Sequence, residues 1–162
     1  MSSYKVQGNW VIVTSFIVAY YLSILPFPLW AEWWRPEWVA LVLIYWVYAL
    51  PHRIGILTGW VVGLGLDVLE GVALGQNALS LTLLAYLTYQ LHRRTRVFPI
   101  WQQSLVILVL IGVNLVILRL IQSSIAFVPN TLWYWFPCVV SALLWPWIFS
   151  ILRLCQRFFH VL

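Results

Sequence analysis

An apolar run opens at Trp10 and extends to about residue 30, and five more runs follow it. About 20 such residues are what a helix needs to cross the hydrocarbon of a bilayer. Within lipid the backbone must satisfy its own hydrogen bonds, which leaves helices or closed barrels. The pattern therefore predicts an all-α, polytopic transmembrane helical bundle with spans near 10–29, 37–50, 54–72, 77–91, 104–127 and 132–152. The second is short for a full crossing. Pro36, Pro51, Pro99 and Pro129 fall at the boundaries, where proline costs a helix least.

Composition points the same way. The chain is 64% hydrophobic and 8% charged, against about a quarter charged in soluble domains. A water-soluble protein this apolar would expose aggregating patches. No polar run is long enough to form a second domain, so 1–162 reads as a single integral membrane domain. The first run is too long for a signal core, and no small-x-small site follows it, so no cleavable signal peptide is expected.

The basic residues orient the bundle. With the N-terminus inside, Lys5, Arg53, Arg93, Arg94, Arg96, Arg153 and Arg157 fall at cytoplasmic ends, and only Arg35, beside Glu32 and Glu37, falls in an outer loop. This asymmetry supports six spans with both the N and C termini cytoplasmic. A five-span arrangement would send Arg53 or the 93–96 cluster outside. Trp30, Trp33, Trp34, Trp38, Trp133 and Trp135 form an outer belt, and Trp10 and Trp101 mark the inner face. The basic cluster HRRTR, from His92 to Arg96, fits topology and contact with anionic membrane lipid, not a nucleic acid.

Gly55, Gly59, Gly63, Asp67, Gly71 and Gly75 recur every four residues in and beyond the third segment. Residues four apart nearly stack on a helix, so the ladder is a smooth groove into which another backbone fits closely. It serves packing inside the bundle, docking of a partner's helix, or both. Asp67 stands within it and Glu70 lies on nearly the same face. At about 1.5 Å per residue, Asp67 is about 20 Å along the helix from Ile54, beyond the midplane. A charge near that depth costs roughly 2.5–3.5 kcal/mol and needs protein or water around it. Arg119, about 22 Å from Ser104 by the same rise, matches in depth, and Asn77 and Asn114 are available as hydrogen-bonding groups. Three readings stay open for Asp67: a polar clamp to Arg119 or to backbone, a ligand or ion site in an outward-facing cavity, and a contact with a partner helix. Glu70 is nearer the outer water and reads as solvated.

No constellation for catalysis is present. GLGLD resembles the G-x-G-D of membrane aspartyl proteases but carries an extra leucine, and Asp67 is the only aspartate, whereas dyad chemistry needs two carboxyls sharing a proton. There is neither a G-x-S-x-G elbow nor H-E-x-x-H. His52, His92 and His160 all fall at cytoplasmic ends, and Cys138 and Cys155 are too far apart to form a metal or redox motif. Neither cofactor nor metal is expected. In LLWPWIFSILR, Pro146 stands mid-segment, where it frees the carbonyl of Ala142 and kinks the sixth helix, with Ser141 or a neighbouring helix available as a donor.

Several stretches closely resemble the MreD family of bacterial rod-shape-determining membrane proteins: WRPEWVALVLIYWVYALPHRIGILTGWVVGLGLDVLEGVALGQNALS, then WQQSLVILVL, then LLWPWIFSILR. The match runs nearly end to end, and GWVVGLGLDVLEGVALG is its most specific part. The resemblance implies a non-catalytic scaffold of the cell-elongation machinery in the bacterial inner membrane. It would bind MreC, a bitopic protein with a periplasmic domain, and link MreB filaments to the glycan polymerase RodA and its partner transpeptidase. It also implies six helices arranged like the substrate-binding components of energy-coupling vitamin importers, so small-solute binding is the alternative function. The family motif carries over onto Gly59, Gly63, Asp67, Gly71 and Gly75. Some relatives have an acid in the middle of the fifth segment. Asn114 and Arg119 stand in that region here, which favours a clamp over a shared proton or ion site.

Overall fold

The structure, a computed structural model, describes residues 8–129, 131–159 and 161; Lys5 and His160 lie outside the described residues. It is all-helical: α1 (Asn9–Ile24), α2 (Trp38–Ala49), α3 (Ile56–Glu70), α4 (Gln76–Thr95), α5 (Ile100–Ile125) and α6 (Phe136–Phe158), with 3-10 turns at Glu32–Trp34 and Leu132–Trp135. No strand occurs among the described residues. By length and composition, α5 and the stretch Leu132–Phe158 can each cross a membrane, while α1 is a shorter apolar helix.

The helix ends follow local chemistry. α1 stops at Ile24, short of the expected boundary, because Pro26 and Pro28 cannot continue the ladder of hydrogen bonds. α4 runs past Leu91 to Thr95, and its last turn places His92, Arg93 and Arg94 at the electronegative end of the helix. α5 begins four residues earlier than expected, at Ile100, where the Pro99 carbonyl accepts the N–H groups of Gln102 and Gln103. α6 continues as one helix through Pro146. The Ser150 hydroxyl donates to the Pro146 carbonyl at 2.7 Å. Ser141 Oγ accepts the backbone N–H of Glu37 at 3.0 Å, tying the start of α2 to α6.

α2 lies at the centre. Every residue from Val39 to Val47 is buried, as expected of a helix that is apolar all round. Twelve residues reach only about 18 Å, so this helix is wrapped by its neighbours α1, α4 and α6. Polar side chains fasten the layers. Trp46 Nε1 donates to Ser15 Oγ at 2.8 Å, joining α2 to α1. The Tyr20 hydroxyl donates to the Val62 carbonyl at 2.6 Å, joining α1 to α3. Ser80 and Asn114 join α4 to α5. The outward faces are strongly apolar, with Leu57, Leu143 and Trp147 each about three-quarters exposed.

Contacts at the two ends give the helices their directions. Trp34 packs against Phe136 with centroids 4.9 Å apart and the rings tilted by 59°, and Arg119 sits 4.8 Å over the Tyr134 ring. At the opposite end the Tyr45 hydroxyl donates to Gln156 Oε1 at 2.7 Å, and Gln103 Nε2 donates to the Thr95 carbonyl at 3.3 Å. The turns at the first end carry all four carboxylates of the chain, Glu32, Glu37, Asp67 and Glu70; those at the second carry Arg53, Arg93, Arg94, Arg96, Arg153 and Arg157. The bundle thus has a carboxylate end and an arginine end.

Candidate functional site

The glycine ladder divides into three parts. Gly59 and Gly63 lie against α4. A Cβ on Gly59 would stand 2.7 Å from the Leu81 carbonyl oxygen, and one on Gly63 would stand 2.6 Å from the Ala78 nitrogen and 2.7 Å from the Asn77 oxygen. Backbone cannot yield there, so these two glycines set how closely α3 and α4 approach, and α4 covers the face they form. Gly55, at the start of α3, faces open space. Gly71 and Gly75 adopt φ of +65° and +99°, which only glycine does at little cost. They end α3 and begin α4. Gly65, outside the ladder, makes a further close approach: its Cβ would meet the Tyr20 hydroxyl at 2.8 Å.

Asp67 joins the two helices. Its backbone carbonyl accepts the N–H groups of Gly71 and Val72 and so closes α3. Its carboxylate accepts the N–H groups of Gly75 at 2.9 Å, Asn77 at 2.8 Å and Ala78 at 3.3 Å. Gly75 has no side chain with which to cap α4, and the aspartate of the preceding helix supplies the cap. The carboxylate has no solvent exposure. Charge-assisted hydrogen bonds and the positive end of α4 offset that burial. Glu70 reinforces the join by accepting from Asn77 Nδ2 at 3.0 Å.

The expected partnership of Asp67 with Arg119 takes another form. Arg119 donates to the carbonyls of Val128 and Pro129 and lies over the Tyr134 ring. Tyr134 in turn donates to the Leu115 carbonyl at 3.0 Å. Asn114 is fully buried and paired with Ser80, away from Asp67. Both groups organise the same end of the bundle, where residues that they hold, Asn77 and Tyr134, line one cavity.

That cavity, about 330 Å³, opens among the start of α2, the α3–α4 turn, the end of α5 and the 3-10 turn before α6. Arg35, Glu37, Glu70, Gln76, Gln122 and Tyr134 are among its lining residues. The carboxylates of Glu37 and Glu70 act on one another and on Arg35 across it. The bonds made by Asp67 hold the Gln76–Asn77 wall, and those of Arg119 hold the Tyr134 wall. Glu37, Tyr134 and Gln122 are additions that the sequence pattern did not single out. The one available signal was the RPEW stretch, whose proline opens a helix with an acid beside an arginine. Among the described residues, no three His, Cys, Asp or Glu side chains converge as metal ligands.

The geometry can be set beside known proteins. The family described as "rod shape-determining protein MreD" matches residues 4–155. The rod shape-determining protein MreD of Haemophilus influenzae is 30% identical over 150 residues, covering 90% of each chain. No solved structure matches the chain.

Proposed function

The chain belongs to the MreD family of rod shape-determining proteins, and from that premise we propose that it is a non-catalytic scaffold of the lateral cell-wall machinery. The observation that carries this reading is the family match across nearly the whole chain. In the proposed arrangement all six helices lie in the bacterial inner membrane, with the arginine end in the cytoplasm and the carboxylate end facing outward. The apolar outer faces and the separation of charge between the ends support it. MreC is the proposed direct partner. MreB, RodA and its partner transpeptidase belong to the same assembly. The scaffold adds no chemistry of its own and acts by holding other membrane helices.

The cavity at the carboxylate end favours a second reading, binding of a small, vitamin-like solute in an architecture like that of importer substrate-binding components. Depletion of the protein in its rod-shaped host separates the two. If cells round up and swell while septa still form, the scaffold reading holds. If cells remain rods but require an added nutrient, the solute-binding reading replaces it. Co-purification of MreC with the wild-type protein checks the partner, and its absence under conditions that keep the bundle folded would remove MreC as a direct contact.

A further inference from the structure

At the arginine end a cavity of about 350 Å³ opens among the last turn of α2, the end of α4, the start of α5 and α6. Arg96 and Arg153 both line it. The chain has no carboxylate at this end among the described residues, because Glu32, Glu37, Asp67 and Glu70 are all at the other. Two cations facing one space without a counter-charge repel each other, and an anion between them relieves that. The start of α5 lines the same space through Pro99 and Ile100, so the positive end of a 26-residue helix points the same way.

The neutral groups add an independent observation. Tyr48 and Gln103 line the cavity; Gln103 Oε1 is buried without a hydrogen-bond partner, and the buried Tyr48 hydroxyl has only Thr95 beside it, with no hydrogen bond of good geometry. The Gln103 amide nitrogen is committed to the carbonyls of Thr95, at 3.3 Å, and Phe98, at 3.1 Å, so its oxygen is left as an acceptor. Buried polar atoms without partners are uncommon in folded proteins. Here a hydroxyl and a free acceptor line the same cavity as Arg96 and Arg153. A ligand that satisfies them all carries an anionic oxygen and a hydroxyl close together. The rim includes Phe98 and Ile100, both exposed and apolar, as suits a molecule with an acyl chain.

We propose that this cavity binds a glycerophosphoryl group, the shared chemistry of a phosphatidylglycerol headgroup and of soluble glycerol phosphate. In this arrangement Arg96, Arg153, the start of α5 and the Tyr48 hydroxyl hold the phosphoryl oxygens, and Gln103 Oε1 accepts from a glycerol hydroxyl. The inference concerns the arginine end alone and stands whether or not the scaffold reading does.

Native mass spectrometry of the purified full chain tests it, with phosphatidylglycerol, phosphatidylcholine and glycerol 3-phosphate as probes. The wild type should retain phosphatidylglycerol in preference to phosphatidylcholine. Arg96→Gln with Arg153→Gln should lower retention by about tenfold or more. Tyr48→Phe, which removes one oxygen and leaves the packing intact, should lower it by about threefold, and it decides the matter if the double variant fails to fold. Arg93→Gln with Arg94→Gln, an equal loss of charge outside the cavity, should change it by less than about twofold. Competition by glycerol 3-phosphate would make the ligand a soluble anion; failure to compete would make it the lipid headgroup. Equal losses in the two arginine pairs would reduce the effect to diffuse attraction and overturn the proposal. So would a wild type that retains neither phosphatidylglycerol over phosphatidylcholine nor glycerol 3-phosphate.

Discussion

Asp67 serves two helices at once. Its main chain ends α3 and its side chain begins α4. Replacing it by alanine leaves three N–H groups without their acceptor, those of Asn77 and Ala78 buried and that of Gly75 partly so. Hydrogen bonds to a charged group contribute about 1.5–3 kcal/mol each, so Asp67→Ala should destabilise the bundle by at least about 2 kcal/mol, read as a lower unfolding midpoint in detergent. Asp67→Asn, which keeps one acceptor oxygen, should fall between the two. An alanine variant as stable as the wild type would remove the capping role. The glycines make a sharper contrast. Gly63→Ala should lower the melting temperature markedly, because its new carbon meets Ala78 backbone. Gly55→Ala, which meets nothing, should leave it unchanged. If both behave alike, the ladder is a feature of the sequence with no bearing on how α3 meets α4.

At the scale of the element, the helices were legible because proline, glycine and charge mark their ends. The six runs, and the packing spacing of Gly59 and Gly63, follow from a period that any helix imposes. What the sequence hid is tertiary. A four-residue spacing is the same whether a glycine packs on a neighbour, faces open space or turns the chain. Only the backbone conformation of Gly71 and Gly75 and the position of α4 distinguish these cases. Depth along a helix matched Asp67 to Arg119, but depth says nothing about azimuth, and a nearby turn offered backbone donors first. The central place of α2 also depends on its partners. Trp46 is wholly buried and its ring N–H is satisfied by Ser15 of α1. Ser15→Ala should therefore cost about 1–2 kcal/mol by leaving a buried donor unpaired. Ser124→Ala, on an exposed serine bonded to its own helix, should cost nothing measurable by the same unfolding assay.

For the molecule as a whole, the arrangement of charge is the property with the widest consequences. Four carboxylates with Arg35 and Arg119 at one end, and six arginines with no carboxylate at the other among the described residues, make a bundle with a built-in polarity. Positive charge resists transfer across the membrane during insertion, so the arginine end is expected to stay in the cytoplasm. Each end also encloses a cavity of its own sign: Glu37 and Glu70 around one, Arg96 and Arg153 around the other. The orientation is directly measurable. In a background with Cys138→Ala and Cys155→Ala, Glu32→Cys in intact spheroplasts should react with a membrane-impermeant maleimide, and Arg94→Cys should react only after the membrane is opened. Reaction of both from outside would put an even number of crossings between residues 32 and 94, in place of the three that the six-span arrangement requires, and break that arrangement. Reaction of Arg94→Cys alone would invert the bundle. An inverted bundle would turn the carboxylate cavity toward the cytoplasm, away from any solute outside the cell, and would place the glycerophosphoryl cavity in the outer leaflet. The labelling pattern therefore decides which side each cavity serves before any ligand is sought.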